Sequence, residues 1–269
     1  MTEKSSKWNS LLPRLLTAAV GGALVVFLLV FKAITSFFVL SVIGMGCLWE
    51  FYQIAKKSGL SPNIKVGLVG GIFLFASLFF HFKVSILLLL ILFVLASIEL
   101  LKVNQNIIAS LSSTLLGLIY CIGPMLLLMK VSTVRGGYDW RIIIALLVMI
   151  WSFDSGAYFA GKLLGKHKMI PKVSPGKTWE GTIGGSILCF VGVYLFSHLY
   201  SFFSLAECIA YSLKVSVCGT FGDLLVSQMK RNIDLKDTGN LLPGHGGFLD
   251  RFDGFLMAAS FYGAVMLFL

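Results

Sequence analysis

Apolar residues run in long blocks along this chain, broken by short polar stretches in the first half and by two longer ones in the second. A helix that spans a bilayer needs about 20 mostly apolar residues, fewer where protein buries part of it. Nine such blocks are read: Leu15–Phe31, Phe37–Tyr52, Val66–Phe82, Ser85–Leu101, Leu111–Met129, Ile142–Ala160, Thr182–Leu199, Phe203–Phe221 and Arg251–Leu269. Only tight turns separate the first from the second and, near Lys83, the third from the fourth. The expected fold is all-α and polytopic. No internal repeat of the transporter kind is visible. The longest polar stretches are Gly161–Gly181 and Leu224–Asp250.

Composition agrees. Of the 269 residues, 57% are hydrophobic and 13% charged, against about 25% charged in a soluble domain. The basic N-terminus runs into the first apolar block with no convincing small-x-small cleavage site, so that block is read as a retained span. A net charge of +10 in a soluble protein would raise the question of nucleic acid. In a polytopic protein it points to cytoplasmic loops and anionic headgroups, and no nucleic-acid partner is expected. Of the 22 Lys and Arg, sixteen fall at the N-terminus and in even-numbered loops. Lys32, Lys83, Lys130, Arg135 and Arg141 fall opposite, and Lys214 lies within a span. That asymmetry predicts a cytoplasmic N-terminus and two cytoplasmic polar loops in a cell inner (plasma) membrane. Cys47, Cys121, Cys189, Cys208 and Cys218 lack metal-knuckle spacing, lie in apolar stretches and read as small buried hydrophobes.

The acids are one-sided. Only Glu3, Glu50 and Glu99 lie in the first half, whereas Asp154, Glu180, Asp223, Asp234, Asp237, Asp250 and Asp253 cluster in or beside the two long loops. Acids at membrane depth are costly and mark functional sites. Residues 1–140 are therefore expected to be a membrane scaffold and 141–269 the catalytic region. In the latter, Lys230, Arg231 and Lys236 supply cations suited to phosphate. Pro243-Gly-His-Gly-Gly247 is a glycine-rich turn whose N–H groups can meet an anion. Asp250 and Asp253, three apart, share one face of a first helical turn. Helix capping explains such a pair equally well, but not the cationic loop and glycine turn before it. Carboxylates beside cations at a membrane surface suit phosphate bridged by Mg²⁺, with Asp223 as a partner for Asp250. Asp154, inside an apolar block, needs a cation, a metal or a structural hydrogen bond. Ser174, Lys177 and Thr178 resemble fragments of a phosphate loop, although the Walker spacing is absent. The simpler reading is a loop that caps the seventh helix, with Glu180 in its first turn.

The segment from Ser227 to Asp253 resembles the signature of the phosphatidate cytidylyltransferases: Ser-x-apolar-Lys-Arg, four residues, Lys-Asp-x-small, then apolar-Pro-x-His-Gly-Gly-apolar-x-Asp-Arg-apolar-Asp. Asp154–Lys162 and Ser174–Gly181 are similar to the family's upstream motifs. The resemblance implies a helical membrane enzyme, a homodimer, that joins CTP and phosphatidic acid within membrane lipids to give CDP-diacylglycerol and pyrophosphate. It implies metal on Asp223 and Asp250 with Asp253 close by, as a Mg²⁺ pair or Mg²⁺ with K⁺. Lys230, Arg231 and Lys236 would meet phosphates. Ser174, Lys177, Thr178, Gly246, Gly247 and Arg251 would contact substrate. His245 is either catalytic or a hydrogen-bonding brace for the glycine turn. An ion-coupled transporter is the rival reading, disfavoured because transporters place broken or acidic helices in both halves. Another CTP-dependent lipid transferase or kinase is the alternative within enzymes.

Overall fold

The computed structural model describes residues 20–80, 82–102, 106–134, 136–239 and 246–268. Helices dominate: α1 Val20–Phe31, α2 Ala33–Lys57, α3 Ile64–Phe80, α4 Val84–Leu101, α5 Ile107–Thr133, α6 Trp140–Leu164, α7 Trp179–Tyr200, α8 Leu205–Arg231 and α9 Leu249–Phe268. Six of these, α2 and α4 to α8, are long and apolar enough to cross a membrane. Among the described residues there is no strand, only an isolated antiparallel bridge between Lys168 and Thr178. The chain is a polytopic helical membrane protein. Its outer face carries large apolar side chains such as Phe38, Phe93, Ile119, Ile187 and Leu199. One continuous core runs through it, from Leu48 of α2 through Met125 of α5 and Met149 of α6 to Val226 of α8 and Leu256 of α9.

Small residues decide which helices touch. Lipid tails are as apolar as Leu, so helices in a bilayer associate through close packing and polar contacts. At the α6–α7 crossing, a Cβ on Gly156 would lie 2.9 Å from the Gly184 carbonyl, and one on Gly184 2.3 Å from Ala160 Cβ. At α8–α9, a Cβ on Gly222 would lie 2.4 Å from the Asp253 carbonyl. Tyr52, fully buried on α2, packs where Gly67 of α3 and Gly117 of α5 leave room, and its hydroxyl donates to the Thr114 carbonyl at 2.8 Å. Just beyond Gly117, α5 widens into a π-turn over Leu118–Ile122, ahead of Pro124, which has no N–H for the preceding turn.

Several helices run further than the apolar blocks predict, α6 and α8 toward the polar stretches. α6 continues to Leu164 and α8 to Arg231, ten residues past Phe221. The residues from Gly222 to Arg231 are therefore helical, and Asp223, Ser227 and Lys230 sit at i, i+4 and i+7 on one face of α8. Apolar block length locates the part of a helix in hydrocarbon and misses the turns that emerge from it.

Candidate active site

The ends of α6 and α8 and the beginnings of α7 and α9 gather into one polar region. Thr178 caps α7 by accepting from the Gly181 amide at 3.1 Å, and Glu180 of that first turn takes the amides of Lys166 and His167 at 3.2 Å. These contacts fold residues 165–178 back on themselves, and the Met169 amide reaches the Lys177 carbonyl at 3.1 Å. Lys177 then points its ammonium at Asp223 of α8, 2.6 Å from Oδ2, while Ser227 donates to Asp223 Oδ1 at 3.2 Å.

A second ion pair ties α8 to α9. Lys230 Nζ lies 2.6 Å from Asp250 Oδ1, and both side chains are only 11% exposed. Asp250 Oδ2 accepts the Thr238 amide at 2.7 Å and, more weakly, the Gly247 amide at 3.4 Å. The close α8–α9 crossing at Gly222 and Gly254 brings Asp253 to the same region. Two cavities result. One, about 360 Å³, is lined by Asp154, Lys177, Asp223, Lys230, Asp250, Arg251 and Asp253. The other, about 380 Å³, is lined by Tyr158, Ser174, Gly176, Lys177, Thr178, Thr182 and Thr220. Phe153, Asp154, Lys177 and Asp223 belong to both, so the Lys177–Asp223 pair stands on their common wall.

Glu50, read from the sequence as part of the scaffold, reaches this region from α2. It is 2% exposed. Its Oε1 accepts the Phe248 amide at 3.0 Å, and its Oε2 accepts the Leu249 amide at 2.9 Å and the Thr238 hydroxyl at 2.6 Å. Thr238 Oγ1 is also 3.0 Å from Asp250 Oδ2. A hydroxyl has one proton to give, and the shorter contact assigns it to Glu50. A Cβ on Gly247 would fall 2.0 Å from Thr238 Oγ1 and 2.4 Å from Glu50 Oε2, so this position has room only for glycine. The available signal was the one used for Asp154, a carboxylate inside an apolar block. The one-sided distribution of the other acids masked it.

The remaining sequence candidates divide. Gly246 takes a left-handed conformation, φ +82°, beside Asp250. Ser174 lines the second cavity, and Arg251 lines the first. Thr178, though it lines the second, commits its hydroxyl to the α7 cap. Arg231 is exposed and lines neither cavity; it donates to the carbonyls of Leu235 at 3.1 Å and Val173 at 3.4 Å. Lys236 is exposed on the turn after α8 and also lines neither. His245 lies outside the described residues. The five cysteines are free thiols, four of them buried.

Among the described residues, no three His, Cys, Asp or Glu side chains come close enough to form a metal cluster by themselves. Mg²⁺ asks for less, taking one or two carboxylates plus substrate phosphate oxygens. Asp253 fits that donor chemistry, and Asp223 fits it once its Oδ2 contact with Lys177 opens; both line the first cavity with Asp154. Asp250 fits it only if its Oδ1 contact with Lys230 opens.

The sequence is similar to those of known proteins. A phosphatidate cytidylyltransferase of Bacillus subtilis is 46% identical over 125 residues, 46% of this chain and 46% of that protein. One from Haemophilus influenzae is 40% identical over 126 residues, 45% of this chain and 44% of that one. One from Staphylococcus saprophyticus is 44% identical over 117 residues, 43% of this chain and 44% of that one. These alignments cover a little under half of each relative's length. The family model for cytidylyltransferases matches residues 12–269, so the chain belongs to the cytidylyltransferase family.

Proposed function

We propose that this chain transfers a cytidylyl group from CTP to phosphatidic acid, giving CDP-diacylglycerol and pyrophosphate. The observation that carries the reading is the Lys177–Asp223 wall between two cavities, since a transfer between two phosphorylated substrates needs them on either side of one charged centre. Family membership and the names of the three relatives support the same chemistry.

In this mechanism a phosphatidate oxygen attacks the α-phosphorus of CTP, the new P–O bond forms, and the bond to pyrophosphate breaks. The nucleophile is already an anion, so no covalent enzyme intermediate is required. The protein's task is in-line positioning and charge neutralisation. Lys177 meets phosphate from the shared wall. Ser174 offers a hydroxyl to the second cavity, and Arg251 a guanidinium to the first. Asp223, with Asp253 or a released Asp250, would hold Mg²⁺, which supplies Lewis-acid charge neutralisation at phosphate oxygens. The same reading puts the N-terminus and the site on the cytoplasmic side of a bacterial inner membrane, where CTP is available, with a homodimer as the working assembly.

The test is turnover by purified protein in mixed micelles of phosphatidic acid with CTP labelled at the α-phosphate. Label passing into CDP-diacylglycerol, dependent on both substrates and on Mg²⁺, is expected. Ion uptake into proteoliposomes without any lipid labelling would instead establish the transporter reading.

A further inference from the structure

We propose that Glu50 is a positioning residue, which caps the start of α9 from another helix and thereby fixes Asp250 in the site. This rests on the transferase reading above, although its structural half stands without it.

A helix begins with N–H groups that have no partner in their own turn. Usually a side chain next to the helix in sequence takes them. Here the amides of Phe248 and Leu249 go to a carboxylate 198 residues earlier, on α2. Burying a carboxylate is costly unless it is well satisfied. Among the described residues, the donors that meet Glu50 are the Thr238 hydroxyl and two backbone amides at a positive helix end. Gly239 and Gly247 press on it so closely that a Cβ on either would come within 2.6 Å of its oxygens. A carboxylate so enclosed has no route to substrate. Its influence passes through Thr238, which gives its hydroxyl to Glu50 and its amide to Asp250, and through the first turn of α9, which carries Asp250 itself. Tyr52, two residues along α2, is locked against α3 and α5, so the apolar half of the molecule sets where Glu50 aims.

Substituting Glu50→Gln keeps the shape and turns one acceptor into an N–H₂ that faces N–H or O–H donors. The start of α9 must then shift, and a misplacement of about 1 Å costs roughly 100-fold in rate. Thr238→Val removes only the hydroxyl link and serves as the milder variant should Glu50→Gln fold poorly. Two readouts are taken on each: steady-state kinetics with CTP and phosphatidic acid varied separately, and amide hydrogen exchange of the intact protein in micelles. The expected result is a kcat lowered roughly 100-fold for Glu50→Gln and about 10-fold for Thr238→Val, with KM for CTP held. Exchange should quicken at Phe248 and Leu249 and stay unchanged in α6 and α7. A wild-type kcat in both variants overturns the positioning role, whatever exchange does. Unchanged exchange at Phe248 and Leu249 in Glu50→Gln overturns the cap. If unmodified protein makes no CDP-diacylglycerol, the transferase reading fails, and exchange alone then decides whether Glu50 holds α9.

Discussion

Replacing Lys230 by Met asks whether this lysine is a phosphate ligand or a brace. Its ammonium is 2.6 Å from Asp250, and both side chains are 11% exposed. At that distance the attraction is about 6 kcal/mol for an effective dielectric of 20, and much of it offsets the desolvation of two ions. The net value of the pair is therefore small, but removing one partner is not equivalent to removing both. Lys230→Met keeps the apolar stem and leaves Asp250 a buried anion with only neutral donors. Breaking a buried pair in this way costs about 3–5 kcal/mol. The low end applies here, because Asp250 borders a cavity that water can enter. At roughly 2–4 °C per kcal/mol for a chain of this size, Tm should fall by roughly 6–12 °C. The four buried free thiols provide the assay, since a thiol-reactive dye reports their exposure as the detergent-solubilised protein is heated. Lys230→Met combined with Asp250→Leu should recover most of the loss, because neither charge then remains. If Lys230→Met melts within about 2 °C of wild type and raises KM for one substrate only, the brace is wrong and Lys230 is purely a ligand.

Three further outcomes are expected. Asp223→Asn should abolish CDP-diacylglycerol formation and leave Tm almost unchanged, since Asp223 is 40% exposed and its ion pair is worth at most about 1 kcal/mol; near-normal rates at limiting Mg²⁺ would remove Asp223 from the metal site. Gly222→Val should lower both rate and stability, the latter by about 1–3 kcal/mol from overpacking, because even a Cβ there sits 2.4 Å from the Asp253 carbonyl; an unchanged Tm would mean that α8 and α9 can part freely. A cysteine in place of Lys168 or of Asp237 should react with an impermeant thiol reagent only from the cytoplasmic face, and labelling of both from outside would reverse the proposed topology.

Much of this protein is written in its local pattern. Block length and apolarity specify helices because a backbone in hydrocarbon has to satisfy its own hydrogen bonds, and helices appear where all nine blocks were read. Residue chemistry at close spacing marked out Asp223, Lys230, Asp250 and Asp253, which the structure brings to one cavity. Pairing was not legible. That Lys177 meets Asp223 and Lys230 meets Asp250 depends on where α6, α7, α8 and α9 cross, and those crossings are set by glycines whose neighbours are remote in sequence. For the same reason Arg231 and Lys236, cations in the same segment, lie outside the cavities: the helical turn of α8 aims Lys230 inward and Arg231 outward. Glu50 is the clearest case. Its sequence neighbours are apolar and its partners lie nearly two hundred residues away, so only the packing of α2 beside α9 makes a lone buried acid part of the site.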